Sequence, residues 1–235
     1  MSLPIAQPIS RLTDRMFFTG MAFAAAITVF VGFAPTYYLR SQELPPLSSL
    51  LQVHGFVFTA WFLLFLGQTG LIAAHRADIH RRLGIIGTVL AAVMVVIGVM
   101  ASLDAFRHRV AAPGLDPRVL LSIPLGSMLV FAILVTMGLT FRRKPETHKR
   151  FMLLASINLL SAPIGRIVLL LHGAVLTLFL FTDLFVAAAV LHDLMSRRRV
   201  HPANVWGGSL VVVFKPLLIL VANTPAWLAF ADMLR

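Results

Sequence analysis

The chain has 235 residues, 59% hydrophobic and only 12% charged, with a formal charge of +11. That balance excludes an ordinary soluble domain, and the basic residues fall between apolar runs, which marks membrane topology rather than nucleic-acid binding. There is no cysteine, so disulfides, iron–sulfur clusters, thiolate zinc sites and covalently attached haem are excluded.

The hydropathy pattern predicts an all-α polytopic bundle of about seven transmembrane helices forming a single integral membrane domain. The start, MSLPIAQPISRLTDR, reads as no signal peptide, because its charges precede a long apolar run without a small-residue cleavage site. Expected spans cover residues 16–39, 50–74, 83–103, 119–141, 150–170, 172–195 and 205–223. Pro163, Gly165 and His172-Gly173 are the only punctuation between the fifth and sixth, so a six-span reading with one broken helix stays open. The tail, with Trp227 and Phe230, is expected at the membrane interface.

The second span carries the most patterned stretch. His54, Trp61, Gln68 and His75 recur every seven residues. Seven residues are close to two helical turns, so these side chains share a face that should avoid lipid. The span then runs into His75-Arg76-Ala77-Asp78-Ile79-His80-Arg81-Arg82, expected as a compact hydrophilic hairpin. The fourth span ends similarly, and Asp78-x-His80-Arg81-Arg82 and Glu146-x-His148-Lys149-Arg150 are one device used twice. An internal helix-hairpin repeat therefore links spans two and three to spans four and five. The plainer reading is a pair of helix starts, each with an acid in its first turn and a basic cluster that snorkels.

Thirteen Lys and Arg, from Arg11 to Arg199, flank span ends at one face, against Arg40, Arg107, Arg109, Arg118 and Arg235 at the other. The bias predicts the first face to be cytoplasmic, with the N-terminus inside and the C-terminus outside.

Lys215 stands about ten residues into the seventh span, near the expected midplane. Asp183 lies at nearly the same depth in the sixth. A charge buried in lipid needs a partner, so these two are expected to meet, either to fix helix register or to serve a proton or substrate path. A lysine in a seventh span also invites a retinal Schiff base, but the third span has no acidic counter-ion before Asp104. Asn158 and Arg166 are further polar residues in the fifth span. Arg166, toward the outside, could reach a carboxylate, a propionate or a lipid headgroup, or simply snorkel.

The histidines sort by depth. His54 and His172 lie toward the outer face; His75, His80, His148 and His192 toward the cytoplasmic face. Two such groups are what b-type haem with bis-His ligation would use, and each could equally be an ordinary interface hydrogen bonder. A zinc hydrolase built on His75, His80, His148, Asp78 and His192 is an alternative, without a HExxH or HxxxH pair on one helix.

Nearly the whole chain, most clearly DIHRRLG, PETHKRFMLLAS, TDLFVAAAVLHDL and VHPANVWGG, resembles a widespread family of uncharacterised bacterial multi-pass membrane proteins. The resemblance implies an inner-membrane location and no particular activity. The histidines at span ends and the HRR-x-G turn are similar, more faintly, to cytochrome b561-like haem-binding membrane proteins. That similarity implies haem b, held by His54 and His172 toward one face and by His80 and His148 toward the other, with Arg166 near a propionate. The departure is that only His54 is an intramembrane histidine in the second span and the fourth has none. The leading expectation is a small redox or haem-handling protein with a redox partner or quinone. The alternatives are a proton-coupled permease using Asp183 and Lys215, and the metal-dependent hydrolase.

Overall fold

The computed structural model describes residues 11–108, 116–171 and 175–234. Its helices are α1 (Arg11–Phe33), α2 (Ser49–Ala73), α3 (Ala77–Arg107), α4 (Pro117–Thr140), α5 (Pro145–Leu159), α6 (Ser161–Leu170), α7 (Val175–Arg197), α8 (Pro202–Ala222) and α9 (Pro225–Asp232). Seven helical segments are long and apolar enough to cross a membrane. The protein is an all-α, multi-pass membrane bundle.

Local chemistry sets the ends. Ser48 accepts a hydrogen bond from the Leu51 N–H and Asp116 from the Arg118 N–H, capping α2 and α4. Pro117, Pro145 and Pro202 stand in first turns, where a missing N–H is tolerated. α1 ends differently. Pro35 has no N–H to donate, and the chain widens into a π-helical turn, Ala34–Tyr38, closed by the Leu39 N–H to the Ala34 carbonyl at 2.7 Å.

The basic segments are mostly helix. α3 begins at Ala77, so Asp78 and His80 occupy its first turn and only residues 74–76 form the connection. Glu146 stands likewise in the first turn of α5. The hairpins α2–α3 and α4–α5 therefore repeat the same device, with the acids where a helix N-terminus favours them. His75, which the seven-residue pattern carries along α2, leaves the helix in a left-handed conformation, φ 60°.

The fifth span is two helices in line. α5 stops at Leu159, Leu160 makes one turn, and α6 continues to complete a span of residues 145–170. Pro163 interrupts the backbone ladder there. α7 crosses separately, which resolves the choice between six and seven spans.

α5 is the hub. It packs against α1, α4, α7 and α8, and Leu153 to Leu159 are all buried in succession. A helix surrounded on all sides buries every face, so the polar residues it carries, Arg150, Ser156 and Asn158, must find partners inside the protein. α9 folds back on the start of α4. Trp227 Nε1 donates to the Arg118 carbonyl at 2.8 Å, and Arg118 pairs with Asp232 at 3.0 Å.

The crossing of α1 and α6 depends on a glycine. A Cβ on Gly32 would stand 2.5 Å from the Pro163 carbonyl oxygen and 2.7 Å from its Cα. Backbone atoms cannot swing aside. Gly32→Ala is expected to destabilise the bundle by about 1–3 kcal/mol, the range for overpacking. Gly20→Ala, on the same helix with nothing within 4 Å, should be neutral or slightly stabilising. Thermal unfolding in detergent would compare the two, and an equal response would show that α1 and α6 do not cross so closely.

Candidate functional site

Three polar constellations stand out at different depths. A cavity of about 620 Å³ lies between α1, α2, α3, α4, α6 and the end of α5, at the end opposite the basic loops. That volume lies within the roughly 300–1,000 Å³ of small-molecule sites. Its walls are mainly apolar, with His54, Arg166, Arg40, Tyr38, Thr59, Ser102, Ser127 and Ser161 among the polar residues and Met128 as its thioether. The π-helical turn sets the mouth, placing the Tyr38 hydroxyl 2.6 Å from Thr59 Oγ1. The guanidinium of Arg166 donates to Thr36 Oγ1 at 3.1 Å and lies 4.7 Å from the centre of the Phe33 ring. Arg166 thus reaches the cavity wall rather than snorkelling away from the bundle. His54 stacks on Phe58 with ring centres 4.1 Å apart, and its buried Nδ1 has no hydrogen-bond partner. A buried polar atom left unpaired beside apolar side chains is costly. His172 lies outside the described residues.

The second constellation is at the basic face. The repeat brings His80 and His148 together, with ring centres 6.2 Å apart and planes at 85°. His148 Nδ1 is 2.7 Å from the Gly138 carbonyl, to which it donates. The Gln68 amide donates to His80 Nδ1 at 2.6 Å and accepts from the Gly84 N–H at 3.0 Å. The face of α2 is inward-looking as its spacing implied: Trp61 is buried and donates to Ser156 Oγ at 3.2 Å. His75, outside the helix, instead has Arg15 Nη1 2.8 Å from its Nε2.

Beside this pair lies an ionic network that sequence reasoning missed. Arg150 and Asp193 are both fully buried and form a two-pronged ion pair. Asp193 also accepts from the His201 N–H at 2.9 Å and from Asn204 Nδ2 at 2.8 Å. Arg150 donates to Glu146, and Lys149 pairs with Asp14 at 2.5 Å. Asp14 in turn faces His192 Nε2 at 3.1 Å, whose ring stacks on Phe17 at 3.9 Å. The network ties α1, α5, α7 and α8 into one corner. Burial and the adjacent Arg150 guanidinium hold the His201 imidazole below the usual histidine range. Arg150 is therefore no snorkelling cation. The available signal was Asp193 beside a helix whose neighbours were unknown, which no spacing rule exposes.

The third constellation is the charged pair in the spans. Lys215 Nζ meets Asp183 Oδ1 at 2.8 Å, as equal depth on adjacent helices implied. Asn158 donates to the Ser127 carbonyl at 2.8 Å. Among the described residues, no three His, Asp or Glu side chains gather closely enough to hold a metal ion, so the hydrolase set of His75, His80, His148, Asp78 and His192 is not brought together.

Among the described residues, the fold is that of a multi-pass membrane protein with a ligand-sized cavity toward one face and internal ion pairs at Arg150–Asp193 and Asp183–Lys215. Comparison with known proteins finds no matching family model, no matching curated protein and no matching solved structure.

Proposed function

We propose that the protein is a small redox or haem-handling protein of a bacterial cytoplasmic membrane, basic face inward, holding one b-type haem in the cavity at the opposite face. The observation that carries the reading is the buried His54 nitrogen without a partner, in the wall of an apolar cavity of about 620 Å³. The donor set fits the group. Imidazole and thioether are both known haem ligands, so His54 and Met128 of this wall are the residues that would hold the group. Arg166 and Arg40, in the same wall, would neutralise propionates, since guanidinium pairs well with carboxylate. When bound, the haem would supply one-electron chemistry, exchanged with a quinone in the bilayer or a protein redox partner. The chain's own part is to orient the group through His54 and compensate its charge through the arginines.

The reading takes one haem rather than the two suggested by histidines at both faces. His80 and His148 stand against each other with ring centres 6.2 Å apart, and the ligand-sized cavity is at the other end. Protein expressed with haem supply is expected to show a Soret band that His54→Ala removes and His80→Ala leaves. No band in the wild type, with the fold intact, would sink the reading.

A second reading, a proton-coupled permease, is favoured by the Asp183–Lys215 contact at 2.8 Å. An ion pair of this kind inside a membrane segment is a default marker of an ion or substrate path.

A further inference from the structure

The large cavity does not end at its own floor. A smaller cavity of about 30 Å³ lies beside it, with Lys215 and Asn158 in its wall. Ile123, Ser127 and Ser161 line both spaces. The partition between them is therefore one layer of side chains, two of which carry hydroxyls. Ser161 Oγ donates to the Asn158 carbonyl at 3.2 Å, and Asn158 Nδ2 lies 3.2 Å from Ser127 Oγ. A space of about 30 Å³ holds a water molecule, and Ser127, Asn158, Ser161 and Lys215 put polar groups into an otherwise apolar wall. Beyond that space stands the Lys215–Asp183 pair.

We propose that the cavity opposite the basic loops continues as a polar conduit to Asp183 and Lys215, so that the pair exchanges protons with that face of the membrane alone. A proton arriving along it adds to the Asp183 carboxylate and releases the contact with the Lys215 ammonium. Its return restores the pair, and no electrons move. The groups facing the pair from the packed helices fit this task. α4 presents Ser127, α5 presents Asn158 and α6 presents Ser161, all neutral; Arg166 of α6 lies in the large cavity. The nearest other acid on α7, Asp193, is ten residues along, about 15 Å at the helical rise, and is engaged by Arg150. Lys215 also leans over Phe179, 5.8 Å from the ring centre, which closes the side toward α7. The inference is independent of haem: the conduit is a property of the chain whether or not the large cavity takes that ligand.

The chain has no cysteine, so single cysteines report cleanly. Silver ions travel where water does, react with thiolates and do not cross intact lipid. They would be applied in chloride-free buffer to spheroplasts and to inverted vesicles. Protection of the thiol from alkylation after denaturation is then read by mass. Leu218→Cys places the thiol in the small cavity with the ion pair intact, and Ser102→Cys places one in the large cavity. Lys215→Cys reports at the pair itself. The expected result is protection at all three positions from the face opposite the basic loops, and none from the basic face. Ser161→Trp should abolish protection at Leu218→Cys while leaving Ser102→Cys protected; Ser127→Phe serves if that variant fails to fold. Protection of Leu218→Cys from both faces or from neither overturns the proposal, as does loss of sidedness at Ser102→Cys or indifference to the blocking residue.

Discussion

Asp193→Leu is expected to destabilise the bundle by about 3–5 kcal/mol, the range for breaking a buried ion pair by removing one partner. The substitution takes from the fully buried Arg150 its buried counter-ion, leaving it only Glu146, and removes the acceptor of the His201 N–H and one of the two acceptors of the Asn204 amide. Arg150→Met should cost less than Asp193→Leu, because Asp193 keeps those two donors and can take a proton, whereas a guanidinium cannot give one up. The double change, which leaves no unpaired charge, should recover much of the loss. Glu146→Gln makes a useful contrast. Glu146 is 44% exposed, and removing one exposed partner should cost at most about 1 kcal/mol. Chemical denaturation in micelles would rank the four variants. Equal effects of Asp193→Leu and Glu146→Gln would show that the corner is solvated.

Lys215→Met and Asp183→Leu are expected to destabilise singly and to compensate together. Each single change leaves a charge in a membrane segment without its partner. The loss should fall below the about 3–5 kcal/mol of a fully buried break, because the Asp183 side chain is 32% exposed and can take a proton when Lys215 is gone. Lys215→Met should therefore be no more stable than the double mutant. Coupling smaller than about 0.5 kcal/mol in the cycle would show that the two side chains do not meet. A stable double mutant that has lost its function would assign the pair to function; one that keeps it would assign the pair to helix register.

These two pairs also show what the sequence could reveal. Asp183 and Lys215 were readable because each interrupts an apolar run. A charge there demands a partner, and depth along antiparallel neighbours picks it. Arg150 and Asp193 carry the same chemistry but sit in charged segments at span ends, where side chains are ordinarily solvated. Only the packing of α5 on four helices, which no hydropathy profile contains, shows that this corner is dry. The seven spans were readable because bilayer thickness fixes the length of an apolar helix. The repeat pointed to His80 and His148 as equivalents, and the two hairpins bring them face to face. The large cavity was not readable as a cavity. Six helices contribute to it, and its space depends on how side chains such as Tyr37 and Met128 seat against Gly55 and Gly98. From sequence, His54 and Arg166 were separate candidates 112 residues apart; folding puts them in one wall.

The central claim is that His54 and the arginines of that wall make a haem site. Titrating haemin into the purified, haem-free protein in detergent, followed at the Soret band, tests it most directly. The account predicts saturation at one haem per chain in the wild type, unchanged in His80→Ala, weakened in Arg166→Ala and lost in His54→Ala. Unaltered binding by His54→Ala, or binding that disappears with His80→Ala instead, would contradict it.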